Sequence, residues 1–278
     1  MISFSLRATA AIWIGTIWLS SGFAQEAIIS LEQAQPTQAA DENAQTAEEL
    51  QAAFDKAPLR FEFTGGESGD EKLELVKQPL LNWSNPERRT PAGAVYIWIL
   101  DGRPEVALSL YPNNGVIDQE FQSLSRHPLI AKQEGLVVWH PRQPGLEMKP
   151  LESEMKPAGS KPARLRQMRA LAREFTCKLA PPGKSIPARM LPAPLFRYAS
   201  EKSGVIDGAL FAFVQGTDPE VLLLIEAVTD DQGQPAWQYG LARMSMVPME
   251  VLHHDDSVWE VDWAQQSHST PYRVVPGE

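Results

Sequence analysis

The sequence predicts an α+β fold in which a mainly antiparallel sheet carries one long amphipathic helix packed on it. Two observations predict this class. Short segments in which apolar and polar residues alternate recur in both halves of the chain, separated by turn-forming residues. Between the halves, residues 163–179 repeat apolar side chains at intervals of three and four, the pattern of one helix face. Strands, then a helix, then further strands are typical of an α+β arrangement.

The first 24 residues have the three parts of a secretory signal peptide. A positive charge at Arg7 precedes an apolar centre from Ala8 to Leu19, and small residues end the segment. The centre is shorter than the roughly 20 apolar residues that a membrane-spanning helix needs. We therefore expect cleavage between Ala24 and Gln25, and an exported mature protein that is periplasmic or extracellular and not held in the membrane.

Composition narrows the function classes further. The chain carries a formal net charge of −10, which disfavours contact with nucleic acid. Cys177 is the single cysteine, so no disulfide within the chain is expected, and stability must come from burial of apolar side chains. No motif points to a cofactor, and we predict none.

Two parts are expected after the signal peptide. Residues 25–57 are rich in Gln, Ala and Glu and nearly free of aromatic residues, which predicts a flexible tether. Thr46 and Glu49 have the spacing of a capping box, so a short helix is expected to run to about Phe54. Residues 58–278 are expected to form one globular domain, with an exposed, proline-rich and charged linker at about 143–162.

The first half of the globular part contains two hairpin patterns. Apolar and polar residues alternate on both sides of "GGESGDE" between Leu59 and Leu75. A second pair of strands is expected at Ala94–Leu100 and Glu105–Tyr111, joined by a tight turn at Asp101-Gly102. "LVVWHP" predicts one more strand, which Pro141 ends.

The long helix is expected from Ala163 to Leu179. Its apolar face would consist of Leu165, Met168, Ala172, Phe175 and Leu179, which recur at helical spacing. The prolines of "APPGKSIP" then end the helix, because proline can neither donate the next backbone hydrogen bond nor follow a helical residue comfortably.

The second half is richest in strands. "DGALFAFVQGTDPEVLLLIEA", from Asp207 to Ala227, predicts a hairpin across "QGTDPE" that sets Phe211 against Leu224 and Phe213 against Leu222. Both faces of this hairpin are apolar, so it is expected at the centre of its sheet. "AWQYGLARMSM", "EVL" and "SVWEVDW" predict further strands around "HHDD".

Four segments of the chain carry a resemblance: "WSNPERRTPAGAVYIWILDGRPEV" (Trp83–Val106), "RLRQMRALAREF" (Arg164–Phe175), "DGALFAFVQGTDPEVLLLIEA" (Asp207–Ala227) and "WQYGLARMSM" (Trp237–Met246). Through them the chain resembles an uncharacterised family of predicted exported planctomycete proteins. It implies secretion and a shared fold. It implies no activity, cofactor or catalytic residue.

Two acids in the central hairpin are the first candidates for chemistry. Asp218 and Glu220 could serve as a general acid and base if their surroundings separated their pKa values. Gly216, Asp218 and Pro219 are also residues that a turn requires, and this second interpretation is preferred. Glu226 lies on the face of Leu222 and Leu224 and must find a polar partner, for which Tyr239 is the expected candidate.

Histidines and the cysteine give no catalytic or metal pattern. His253 and His254 offer metal ligands, but neighbours on a strand point to opposite faces, so we predict a polar bend and no metal site. Cys177 is expected near the end of the long helix, away from the helix N-terminus that would lower its pKa, and is interpreted as a small buried side chain.

Three arginines form the one candidate binding site that we name from the sequence. Arg166, Arg169 and Arg173 share one side of the expected helix in an otherwise acidic chain, and could bind phosphate or carboxylate groups. The alternative is a solvated face whose arginines pair with acids of the same protein. Trp259 and Trp263 could stack on sugar rings, although burial towards the core is preferred for them.

Together these patterns favour a non-enzymatic exported protein, a binding or structural module of the cell envelope or periplasm. Its partner would be an envelope component, for which the three arginines favour an anionic one. The alternative is an envelope hydrolase whose carboxylate or histidine groups come from distant strands. A deep pocket that gathers such groups from several elements would favour the enzyme.

Overall fold

A computed structural model describes residues 38–277, with side chains described from residue 47 onward. The predicted signal peptide, its cleavage site and residues 25–37 of the predicted tether lie outside the described residues. The chain divides into two units, residues 1–44 and residues 45–278. The described part of the first unit is helical. No helix in the part of the chain described by the structure combines the length and apolar character needed to cross a membrane.

The first half of the second unit is built mainly of strands. Helix α1 (Gln38–Lys56) leads into it, and its Phe54 is buried in the core. The strands that follow are β1 (Phe61–Gly65), β2 (Glu71–Lys72), β3 (Glu74–Leu75), β4 (Leu81–Asn85), β5 (Thr90–Leu100), β6 (Arg103–Asn113), β7 (Val116–Ser123), β8 (Ile130–Gln133) and β9 (Leu136–Trp139). Short 3-10 helices occupy Ala57–Arg60 and Pro86–Arg88.

The second half is also built mainly of strands. Its elements are β10 (Met148–Pro150), α2 (Lys161–Ala172), β11 (Phe175–Leu179), β12 (Ile186–Met190), β13 (Phe196–Ser200), β14 (Val205–Gln215), β15 (Asp218–Thr229), β16 (Pro235–Arg243), β17 (Met249–His253), β18 (Asp256–Val261) and β19 (Tyr272–Val275).

Within residues 38–277 these strands form three antiparallel sheets. The four-stranded sheet has the order β2-β1-β8-β9, and the six-stranded sheet has the order β19-β7-β6-β5-β3 with β4 also paired to β5. The nine-stranded sheet runs β10-β16-β15-β14-β12-β11-β17-β18, with β13 paired to β14. One core cluster contains Ile97 and Ala107 of the six-stranded sheet together with Leu210 and Leu222 of the nine-stranded sheet, so these two sheets pack face to face.

The predicted fold class is wrong. Residues 38–277 form mostly antiparallel sheet, and the long amphipathic helix predicted at 163–179 is not among their elements, so the part of the chain described is a β-sheet protein. Helix α2 ends at Ala172, and Phe175–Leu179 is strand β11, paired with β12 on one side and β17 on the other. Phe175, Cys177 and Leu179 are buried while Thr176 is exposed, a period of two that the helical spacing concealed. Backbone pairing on both edges outweighed the local helical preference.

Local patterns were more reliable in the hairpins. The predicted β5–β6 hairpin is confirmed: Leu100 pairs with Arg103, and Asp101 and Gly102 both have positive φ. The hairpin at Asp207–Ala227 forms β14 and β15 at the centre of the nine-stranded sheet, but its register is one residue from the expected one, with Phe211 opposite Leu223. Its turn contains only Gly216 and Thr217, because Gln215 pairs with Asp218.

Residues 143–162 are exposed only in part. Leu146 and Leu151 are buried, and β10 pairs with β16 at the edge of the nine-stranded sheet. Helix α1 is longer than the short helix expected in the tether, and Thr46 and Glu49 lie inside it.

Candidate functional site

A cavity of about 340 Å³ lies where strands of the six-stranded and nine-stranded sheets meet. Its wall combines aromatic rings with charged side chains that the chain supplies from both halves. We call it the acid–aromatic cleft and define it by Trp83, Arg88, Tyr111, Glu120, Asp218, Trp263 and Tyr272.

The turn of the β14–β15 hairpin places Asp218 at this cleft. Thr217 is held against Ser84 of β4: its backbone N–H and hydroxyl both donate to the Ser84 carbonyl, over 3.1 and 3.0 Å. The Ser84 N–H donates in return to the Thr217 hydroxyl over 2.8 Å. The start of β15 is thereby fixed to the opposite sheet.

A β-bulge then separates Asp218 from Glu220, the second acid at the start of β15. Val214 pairs with Pro219 and Phe213 with Val221, so Glu220 is the extra residue of β15. A bulge changes the direction of a side chain relative to regular pairing. The side chain of Glu220 is fully buried as a result, and that of Asp218 is 8% exposed.

Arg88 bridges the two carboxylates. Its Nη1 lies 3.2 Å from Asp218 Oδ2 and its Nη2 lies 2.6 Å from Glu220 Oε1. Asn85 supports the arrangement twice, since its Nδ2 donates to Asp218 Oδ2 over 3.1 Å and its Oδ1 accepts the Arg88 N–H over 3.2 Å. One guanidinium thus faces two buried acids.

Burial and mutual repulsion raise the pKa values of the acids. The pKa of Asp218 rises to about 7, because the carboxyl is desolvated and lies near Glu220, while Asn85 and Arg88 oppose the rise. Burial also raises the pKa of Glu220 despite Arg88. The pKa of Glu120 lies well above its ordinary value, because of burial and then the charges of Asp218 and Glu220. With a pKa of about 7, the Asp218 carboxyl can either donate or accept a proton at neutral pH.

The aromatic side chains of the cleft are fixed by specific contacts. The Tyr272 hydroxyl donates to Glu120 Oε1, and Trp83 Nε1 donates to the Ser109 hydroxyl over 3.1 Å. The rings of Trp83 and Tyr111 have centroids 5.9 Å apart. Trp83 lies against Gly93, where a Cβ would stand 2.2 Å from the indole, so only glycine leaves room for it. Trp263 remains 49% exposed at the cleft.

A second cavity, of about 300 Å³, shares Tyr272 with the acid–aromatic cleft. Trp259 and Arg243 line it, and the Arg243 guanidinium carbon lies 5.3 Å from the Tyr272 ring centroid. Trp259 packs in part against the core, whereas Trp263 does not have the inward position that we preferred for it from the sequence.

Glu226 is fully buried within a hydrogen-bond network. Its oxygens accept hydrogen bonds from Arg103, Arg126, Tyr198 and Gln238, over 2.7 to 2.9 Å. Tyr239, the partner expected from the sequence, instead pairs with Ile225 through the backbone.

The three arginines proposed as an anion site lie at α2 and its end. Arg166 and Arg173 are exposed and Arg169 is half-buried. None of the three forms an ion pair with any residue whose side chain the structure describes. Nearby Arg164, in contrast, is buried and pairs with Asp207, with 2.9 Å between Arg164 Nε and Asp207 Oδ2. The anion site stays a prediction.

Cys177 and the two histidines lie elsewhere. Cys177 is buried in β11, and burial, followed by the charge of Glu220, raises the pKa of its thiol to about 12. His253 ends β17, and His254 follows with a positive φ of 54°, so their rings lie near each other instead of on opposite faces.

Most residues of the acid–aromatic cleft could not be identified as site residues from the sequence. Glu120 and Tyr272 belong to strands that we did not predict, and Arg88 lies 130 residues from Asp218. The available signal was Glu120 in "VIDQEFQS", an acid directly before the aromatic Phe121.

Comparisons of the chain with protein-family models, with curated proteins and with solved structures found no match.

Proposed function

We propose that the protein is an exported binding module that holds a saccharide in the acid–aromatic cleft. The observation that carries this proposal is the meeting of four aromatic side chains with Arg88, Glu120 and Asp218 around one cavity. Binding sites of this kind combine apolar walls with a few fixed polar groups that orient the ligand.

The chemistry of the cleft suits a neutral ligand with many hydroxyl groups. Trp263, which is 49% exposed, offers an apolar face for the C–H face of a sugar ring, and the buried rings of Trp83 and Tyr272 add apolar wall to the same cavity. Arg88 donates hydrogen bonds, while a carboxyl with a pKa of about 7, as at Asp218, can either donate or accept at neutral pH. A sugar hydroxyl likewise does both.

The size of the cavity supports a small ligand. Its volume of about 340 Å³ lies at the lower end of the usual range for ligand sites. We therefore expect a monosaccharide, a disaccharide or the end of a longer glycan, with the half-exposed Trp263 at the entrance.

Export is part of the proposal and rests on the sequence alone. The charged, apolar and small-residue parts of residues 1–24 support a cleaved signal peptide. A mature chain from Gln25 would meet the glycans of the cell envelope or its surroundings.

One observation favours a second candidate, glycoside hydrolysis. Asp218 has the pKa of a general acid that works near neutral pH, because burial and then the charge of Glu220 raise it, and its own charge adds to burial in raising the pKa of Glu120. In this case Asp218 would protonate the leaving-group oxygen, and Glu120 would take a proton from the water that attacks the sugar.

A titration panel tests both candidates. Tryptophan fluorescence of the mature chain is followed while soluble chito-, cello- and malto-oligosaccharides are added, and the products are analysed for new reducing ends. Saturable quenching without cleavage supports the binding module. Cleavage that Asp218→Asn abolishes supports the hydrolase, and no response to any saccharide removes both.

A further inference from the structure

Three side chains with metal-binding atoms meet where the neighbouring strands β11 and β17 of the nine-stranded sheet begin and end. Glu174 directly precedes β11, His253 ends β17, and His254 begins the turn to β18. Strands β11 and β17 pair here, with Phe175 opposite His253. The backbone N–H of His254 also donates to the Glu174 carbonyl over 2.8 Å, so the backbones of all three residues are fixed to each other.

The positive φ of His254 brings both imidazoles to the same side. In a regular strand the two rings would point to opposite faces. With φ at 54°, the ring of His254 instead lies 4.4 Å from that of His253. The ring of His253 is held in turn by Phe175, whose centroid is 4.5 Å away.

The distances fit one small ion. His253 Nε2 lies 3.1 Å and His254 Nε2 3.7 Å from Glu174 Oε2. One ligand atom from each of the three residues lies within 4.8 Å of the others. Bonds of about 2.0–2.1 Å around a tetrahedral zinc ion place neighbouring ligand atoms about 3.3–3.4 Å apart. The side chain of His254 is 66% exposed and is free to make the small rotation that closes the set.

We propose that Glu174, His253 and His254 bind a divalent transition-metal ion of the zinc class. Two imidazole nitrogens and one carboxylate oxygen suit zinc better than magnesium or calcium, which prefer oxygen ligands. Three protein ligands leave a fourth position open to water or to a group from a partner. The ion would join the start of β11 to the β17–β18 turn, and it would therefore stabilise the folded chain.

The test uses the mature chain without an affinity tag. Calorimetry with Zn²⁺ is expected to show one ion bound per chain, and Co²⁺ is expected to give the visible absorption of a four-coordinate site. His254→Gly removes one ligand and suits the positive φ, so it should fold normally and lower zinc affinity at least tenfold. Glu174→Gln is expected to weaken binding similarly.

His127→Ala is the matched control, because His127 is an exposed histidine outside the cluster. It should leave zinc affinity unchanged. Zn²⁺ should raise the Tm of the parent chain but not that of His254→Gly, and Mg²⁺ should raise neither. A parent chain that does not bind Zn²⁺, or a His254→Gly variant that binds it equally well, would overturn the proposal.

Discussion

Arg103 and Glu226 form an ion pair in which neither side chain reaches solvent. Arg103 Nε of β6 donates to Glu226 Oε1 of β15 over 2.8 Å, so the pair joins the six-stranded sheet to the nine-stranded sheet. Burial alone would raise the pKa of Glu226, but the guanidinium groups of Arg103 and Arg126 lower it overall. The carboxylate therefore stays charged and neutralises a buried arginine.

Replacing this carboxylate is expected to be strongly destabilising. Glu226→Gln keeps the size of the side chain but leaves the buried Arg103 with Glu105 as its remaining counter-charge, which should lower the free energy of unfolding by about 3 kcal/mol. Urea denaturation followed by tryptophan fluorescence measures the loss. Glu250→Gln is the control, because Glu250 pairs with Lys178 near the surface and should cost far less. Equal losses would show that burial of the pair is unimportant.

The raised pKa of Asp218 predicts how stability changes with pH. Between its unfolded value of 3.8 and its folded value of about 7, the folded chain holds a proton that the unfolded chain has released. Stability should therefore fall as pH rises through this range. Asp218→Asn cannot release this proton, so between about pH 4 and about pH 8 its free energy of unfolding should rise relative to that of the parent by about 4 kcal/mol. A constant difference between the two proteins would contradict the shift.

The three arginines at α2 predict binding to acidic polymers. Replacing Arg166, Arg169 and Arg173 together by glutamine should make the protein elute at lower salt from a column that carries an acidic polymer. Glutamine at Lys132, Arg142 and Lys184, which are exposed and spread over the surface, gives a control with the same net charge. If both triple variants elute alike, the arginines form no site of their own.

The thiol of Cys177 is expected to be unreactive towards alkylating reagents in the folded protein. Its thiol is buried and its pKa of about 12 leaves almost no thiolate at neutral pH. Iodoacetamide should therefore modify it only after unfolding in urea, as mass spectrometry would show. Stoichiometric alkylation of the native chain would indicate an opening of β11 that the structure does not contain.

Features fixed by neighbouring residues could be predicted, and features fixed by distant ones could not. Asp101-Gly102 determines the β5–β6 turn locally, so that hairpin was found from the sequence. Phe175–Leu179 satisfies both a helical and a strand period, and only its pairing with β12 and β17 decides between them.

The acid–aromatic cleft shows the same limit more strongly. The sequence identified Asp218 and Glu220 but interpreted them as turn residues, because nothing local reveals that Thr217 is fixed to Ser84 in the other sheet. That contact and the bulge at Glu220 turn the acids towards Arg88. Residues that lie more than a hundred positions apart have no spacing from which such a meeting could be predicted.

Binding of a saccharide in the acid–aromatic cleft is tested most directly by comparing two exposed substitutions. Calorimetry of the mature chain with the best ligand from the saccharide panel is repeated for Trp263→Ala and for Leu136→Ala. Both residues are exposed, but only Trp263 lines the cleft. We predict at least a tenfold loss of affinity for Trp263→Ala, which corresponds to about 1.4 kcal/mol, and none for Leu136→Ala. Unchanged affinity in both variants would contradict a saccharide site in this cleft.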